Sequence, residues 1–238
     1  MHRSCRPGRI CTQRHWPPPG CLGRYPAEVA AIDINNRNFV LCFTTAYLAW
    51  SIWCVLMILV GKPFDLPLAR AFARFAALLG PATYWLYTTN DTGTSDRFGF
   101  RKNVPRGLVV GIVFSLLLAL AHLQYEFAIP RTTHAWLNVI TLSPFAEEVL
   151  FRRVAIDFLR KRFGSFIALL SSSVLFSLIH LPWWILAPEY SLAEIISGLL
   201  TMLVYGVVFG ILYMATKSLW ASLIPHCVNN LIAESING

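Results

Sequence analysis

The stretch AWLNVITLSPFAEEVLFRRVAIDFL, residues 135–159, is long and apolar enough to cross a bilayer, yet its interior carries Glu147, Glu148, Arg152 and Arg153. A charged side chain at the centre of a membrane helix costs about 2.5–3.5 kcal/mol on insertion scales. Charges kept at that depth face a bundle interior or a wet cavity rather than lipid, and they mark chemistry more often than architecture. The stretch therefore reads as the working helix of a polytopic membrane protein.

The rest of the chain agrees. Of its 238 residues 56% are apolar and 13% charged, where a soluble domain carries about 25% charged residues. A hydrocarbon core takes about 20 apolar residues in a helix. Candidate spans fall near 39–60, 66–88, 107–129, 135–159, 166–186, 192–216 and 219–235. The expected fold is all-α, a membrane bundle of about seven transmembrane helices in one domain, residues 39–238. Residues 1–38, rich in Arg and Pro and without hydrophobic periodicity, read as a basic, disordered N-terminal tail with no signal-peptide core. The six cysteines, at 5, 11, 21, 42, 54 and 227, lack the paired spacing of a zinc site and read as free thiols.

Basic residues orient the bundle, because Lys and Arg accumulate in cytoplasmic loops. With the N-terminus cytoplasmic, the inner segments hold fourteen of them and the outer loops only Lys62 and Arg131; Arg70, Arg74, Arg152 and Arg153 lie inside spans. The C-terminus is then expected on the opposite side. The net charge of +8 follows from these loops. That pattern points to membrane lipids as surroundings and excludes nucleic acid as a partner.

Three elements carry candidate chemistry. In the first, Glu148 and Arg152 stand i,i+4 in the favoured acid-before-base order and neutralise each other. Glu147 points about 100° away and has no such partner along its own helix. A buried carboxylate without a cation is tuned toward general-base work, which makes Glu147 the candidate base. Arg153 has Asp157 at i+4. The second element, FSLIH, aligns Phe176 with His180, and the third, HCVNN, aligns His226 with Asn230, two donors suited to an oxyanion. A carboxylate base, a histidine sharing its water and two oxyanion donors suffice to hydrolyse an acyl bond without a covalent intermediate. Counted along their spans, His180 and His226 differ in depth on the order of 10 Å. Pro225 is a candidate break that would absorb the difference.

Other chemistries fit less well. None of the histidines, at 2, 15, 122, 134, 180 and 226, begins an HExxH motif. Asp157 is the one aspartate within a span interior, whereas an aspartyl mechanism needs two. Ser177 with His180 would leave the glutamate pair unexplained, and Cys227 points about 100° away from His226.

Together EEVLFRR, FSLIH and HCVNN resemble the motifs EExxxR, FxxxH and HxxxN of the CAAX protease and bacteriocin-processing (CPBP) family, whose members are multi-helix intramembrane proteases. The segment YGVVFGILYMATKSLWASLIPHCVNN, 205–230, is similar to the glycine-containing helix and turn preceding the last motif there, and the likeness covers about residues 136–232. The resemblance implies that Glu147 activates water with His180 and that His226 and Asn230 form the oxyanion site, with Glu148, Arg152 and Phe176 in support. The family is often labelled metalloprotease; Glu147, His180 and His226 would be the ligands of a zinc ion. A metal-free glutamate mechanism is the expectation, since a Lewis acid would make Asn230 redundant as an oxyanion donor.

The sequence thus points to an endopeptidase acting on a membrane-associated peptide or protein, either at a CAAX-type terminus or at a leader or sorting tail. The alternative is a non-catalytic immunity or partner-binding protein of the same fold. A proton-coupled transporter would be expected to show repeated halves, and the sequence has none.

Overall fold

The computed structural model describes residues 25–60, 67–89 and 96–237, and among them there is no strand. The chain divides into two units, Met1–Asn38 and Phe39–Gly238. Most of the basic tail lies outside the described residues, as do Cys5, Cys11, Cys21 and Lys62.

Helix α1 spans Tyr25–Val60, α2 Pro67–Thr88 and α3 Val104–Ala121. A continuous helical run follows: a π-helical stretch Ala135–Leu142, α4 at Ser143–Glu148, a second π-helical stretch Val149–Ile156, and α5 at Asp157–Leu178. The short α6 (Leu181–Leu186), α7 (Leu192–Thr216) and α8 (Trp220–Asn237) complete the bundle.

Burial shows which helix is central. From Ala146 to Ile156 every residue except Arg153 is buried, and a helix covered on all sides lies at the middle of a bundle. Helix α1 buries one stripe, Cys42, Ala46, Trp50 and Cys54, at a spacing of four. Helix α3 instead exposes Val109, Ile112, Leu116 and Leu120. On its other face Gly107 and Gly111 meet Ser218, Trp220 and Ile224 of the α7–α8 turn and α8. Gly206 and Gly210 of α7 likewise admit Ser173 and Leu169 of α5. Small residues inside and large aliphatic ones outside are the pattern of helices packed in lipid, where close approach replaces the hydrophobic drive.

The run from Ala135 to Leu186 folds back on itself. Gly164 has φ 81° and ψ 173°, a backbone that L side chains rarely adopt, and the helix reverses there. The Ser172 hydroxyl consequently donates to the Phe151 carbonyl at 2.6 Å. Two other bonds fasten α5: the Trp50 indole N–H donates to Ile179 O at 2.7 Å, and Ser177 Oγ to Leu199 O at 2.7 Å.

The all-α polytopic fold is as expected. Four helical stretches among the described residues are long and apolar enough to cross a membrane, Asn35–Leu59, Val104–Ala121, Ala135–Leu186 and Leu192–Thr216, fewer than the seven expected. Three boundaries also differ. Helix α1 begins at Tyr25, so residues 25–38 are helical where a disordered tail was expected. Helix α3 ends at Ala121 rather than near 129, and beyond it Ala128 N–H bonds Ser235 O of α8. The span expected over 166–186 breaks at Ile179–His180, where α6 begins with Pro182 in its first turn. Helix α8 runs unbroken through Pro225, so the depth difference is not taken up there.

Candidate active site

The glutamates occupy a single α-helical turn between two π-helical stretches, a local departure that often accompanies functional sites. Glu147 is 2% exposed, Glu148 and Arg152 0%, and His226 4%. Ions buried so deeply persist only when paired.

Glu148 is paired twice. Arg152 Nε donates to its Oε2 at 3.2 Å, as the i,i+4 spacing predicts, and His226 Nδ1 lies 2.9 Å from its Oε1. The second contact was not legible in the sequence: Glu148 supports Arg152 and also fixes the ring of His226. The Arg152 guanidinium stands over the Phe176 ring, 4.9 Å from its centroid, and its two terminal nitrogens have no hydrogen-bond partner among the described residues. Arg153 pairs with Asp157, again at i+4, and its Nε donates to Arg97 O at 2.8 Å.

Glu147 departs from expectation. It does have a cation: Arg74 of α2 donates to its Oε1 at 3.0 Å, and the Ser143 hydroxyl donates to the same oxygen at 2.6 Å. Helical spacing reveals partners three or four residues away, whereas this one is 73 residues distant. The other oxygen, Oε2, lies 3.7 Å from His226 Nε2, beyond direct hydrogen bonding. Neither the arginine nor the serine follows from the motif spacing, and in the sequence Arg74 is one of four basic residues inside spans.

The histidines are oriented by what their Nδ1 atoms touch. His180 Nδ1 lies 3.0 Å from the Phe176 carbonyl, an acceptor, so this nitrogen carries the hydrogen and Nε2 of the neutral ring presents a lone pair. The FxxxH spacing thus fixes a tautomer through the phenylalanine backbone. The Phe176 ring meets both imidazoles edge-on, with centroids 5.3 Å from His180 and 5.7 Å from His226. Phe209 stacks on His226 at 5.0 Å and Trp184 on His180 at 5.5 Å. Asn230 Nδ2 donates to Val139 O, 2.8 Å away in the first π-helical stretch. One amide hydrogen of Asn230 is left for another acceptor. Ser177 is committed to Leu199 O, and the Cys227 thiol is free.

Glu147, His180, His226 and Asn230 line one cavity of ≈ 180 Å³, together with Arg74 and an apolar wall from α7 formed by Met202, Tyr205 and Phe209. A water takes about 30 Å³ in the liquid, so the space holds several waters or a peptide bond. Despite the depth difference counted along their spans, His180, in the turn after α5, and His226 of α8 line the same cavity. Among the described residues no three His, Cys, Asp or Glu side chains are arranged to hold a metal ion.

Comparison with known proteins adds one positive result. No curated protein and no solved structure matches the chain. Residues 129–232 match a family model described as Rce1-like, type II CAAX prenyl endopeptidase Rce1-like. That range contains all three motifs and bears out the resemblance read from them. Over those residues the chain is similar to the Rce1-like CAAX prenyl endopeptidases.

Proposed function

We propose that the chain is an intramembrane endopeptidase that uses Glu147 to activate water against a peptide bond of a membrane-associated protein or peptide. CAAX-type termini are the leading substrate class, with leader or sorting tails as the wider one. The N-terminus lies on the cytoplasmic side and the C-terminus opposite, and no cofactor takes part. The observation that carries this reading is the shared cavity: four side chains from three separate segments converge on it.

Water held between Glu147 Oε2 and His180 Nε2 attacks the scissile carbonyl carbon as its proton passes to the carboxylate. His226 and the second amide hydrogen of Asn230 face the oxygen that becomes negative. Glu148 holds the Nδ1 side of His226, which leaves Nε2 turned toward the Glu147 side of the cavity. When the intermediate collapses the C–N bond breaks, the proton held on Glu147 goes to the leaving amine, and a carboxylate and an amine result. The apolar wall of α7 excludes bulk water and receives substrate side chains.

Glu147→Ala, at equal expression and membrane insertion, is expected to abolish cleavage of a farnesylated CAAX peptide in proteoliposomes. Retained cleavage by that variant would overturn the assignment.

A further inference from the structure

Arg74 lies on α2, outside the residues matched by the family and outside all three motifs. It nevertheless supplies the guanidinium bonded to Glu147. Its contacts show how the N-terminal helices reach the reaction centre. The Arg74 side chain is 19% exposed and lines the cavity. Behind it the Trp50 ring of α1 lies 4.7 Å from the guanidinium, and the same indole donates its N–H to Ile179 O, next to His180. One tryptophan thus braces the cation on Glu147 and the backbone that carries the candidate water partner.

The bonding to Glu147 is one-sided. Arg74 and Ser143 both hold Oε1, at 3.0 and 2.6 Å, while Oε2 is directed toward the His226 side of the cavity. An unrestrained carboxylate turns about its last torsion, which is broad and roughly two-fold, and a misplacement of about 1 Å costs on the order of a hundredfold in rate.

We propose that Arg74 is a positioning residue for Glu147: it clamps Oε1 so that Oε2 meets the water, and Trp50 ties that clamp to the height of His180. The inference rests on Glu147 being the base. Arginine suits the task better than lysine, because its planar fork is braced on the indole while a nitrogen bonds the carboxylate.

The test uses the full chain in liposomes and a quenched fluorescent peptide ending in a farnesylated CAAX sequence. Rates are followed from roughly pH 5 to 9 for the unaltered protein, Arg74→Gln, Arg74→Lys and Glu147→Gln. Arg74→Gln is expected to lower kcat by about tenfold to a hundredfold with KM little changed, and to displace the acid limb of the profile. Arg74→Lys should keep the limb and recover part of kcat. An unmoved limb in Arg74→Gln, or the same displacement in both variants, overturns the proposal; a purely structural role would reduce the amount of folded protein without moving the limb. Activity in Glu147→Gln, or a silent unaltered protein, would instead defeat the functional reading. In that event difference infrared spectroscopy against the Glu147→Gln protein follows the carboxyl directly. Its titration should respond to Arg74→Gln and not to Arg74→Lys, and indifference to both would sink the positioning role.

Discussion

Glu147 and Glu148 are neighbours in sequence and both are buried, yet their surroundings differ in origin. Glu148 is held by Arg152 and His226, which belong to the motif-bearing C-terminal part and point the carboxylate into the packed bundle. Glu147 is held by Arg74 of α2 and by Ser143, one turn before it, and looks into the cavity. The inward glutamate is thus satisfied by its own family segment. The outward one depends in part on a helix outside that segment.

If that division is right, the two neutral variants should fail differently. Glu147→Gln is expected to lower kcat by about 10²–10⁴-fold with a small change in thermal unfolding. Glu148→Gln should unfold at a clearly lower temperature, because Arg152 is then left buried without its charge partner. Equal loss of stability in both, read by detergent melting, would erase the distinction.

Arg152→Met probes the inward unit alone. It leaves Glu148 buried without its arginine and should destabilise the protein by about 3–5 kcal/mol. Replacing Glu148 and Arg152 together by apolar residues should then be milder than Arg152→Met, a non-additivity that a double-mutant cycle measures. Additive losses would show that the two side chains are independent.

Ser143→Ala is the mildest disturbance of the outward unit, removing one of the two bonds to Oε1. A loss of about 0.5–1.5 kcal/mol is expected, read as a severalfold fall in kcat with unchanged melting. A larger effect than that of Arg74→Gln would make the hydroxyl, not the cation, the main restraint on Glu147.

The sequence made the i,i+4 partnerships legible because helical geometry turns spacing into direction. Glu148 with Arg152, Arg153 with Asp157 and Phe176 with His180 all follow from it. It could not show that the Phe176 partnership runs through a carbonyl as well as a ring, since spacing specifies neighbours and not atoms. Arg74 was invisible for another reason: a cation near the end of an apolar span has the same pattern whether it reaches for headgroups or turns inward. The boundary errors have a third origin. The stretch after Ala121 is apolar enough to extend a helix by hydropathy, but its backbone bonds α8 instead. The π-helical stretches leave no mark in the apolar pattern, although one supplies the Val139 carbonyl that anchors Asn230.

The reversal at Gly164 bears on how such a charged helix enters a membrane during synthesis. It folds the second half of α5 back along the run through Ile156 as a hairpin in which Arg152 already has Glu148 one turn away and the Phe176 face opposite. The paired charges can therefore leave the insertion machinery together, partly shielded, before α7 and α8 have been made. His226 then arrives last and closes the centre only when translation has delivered the final helix.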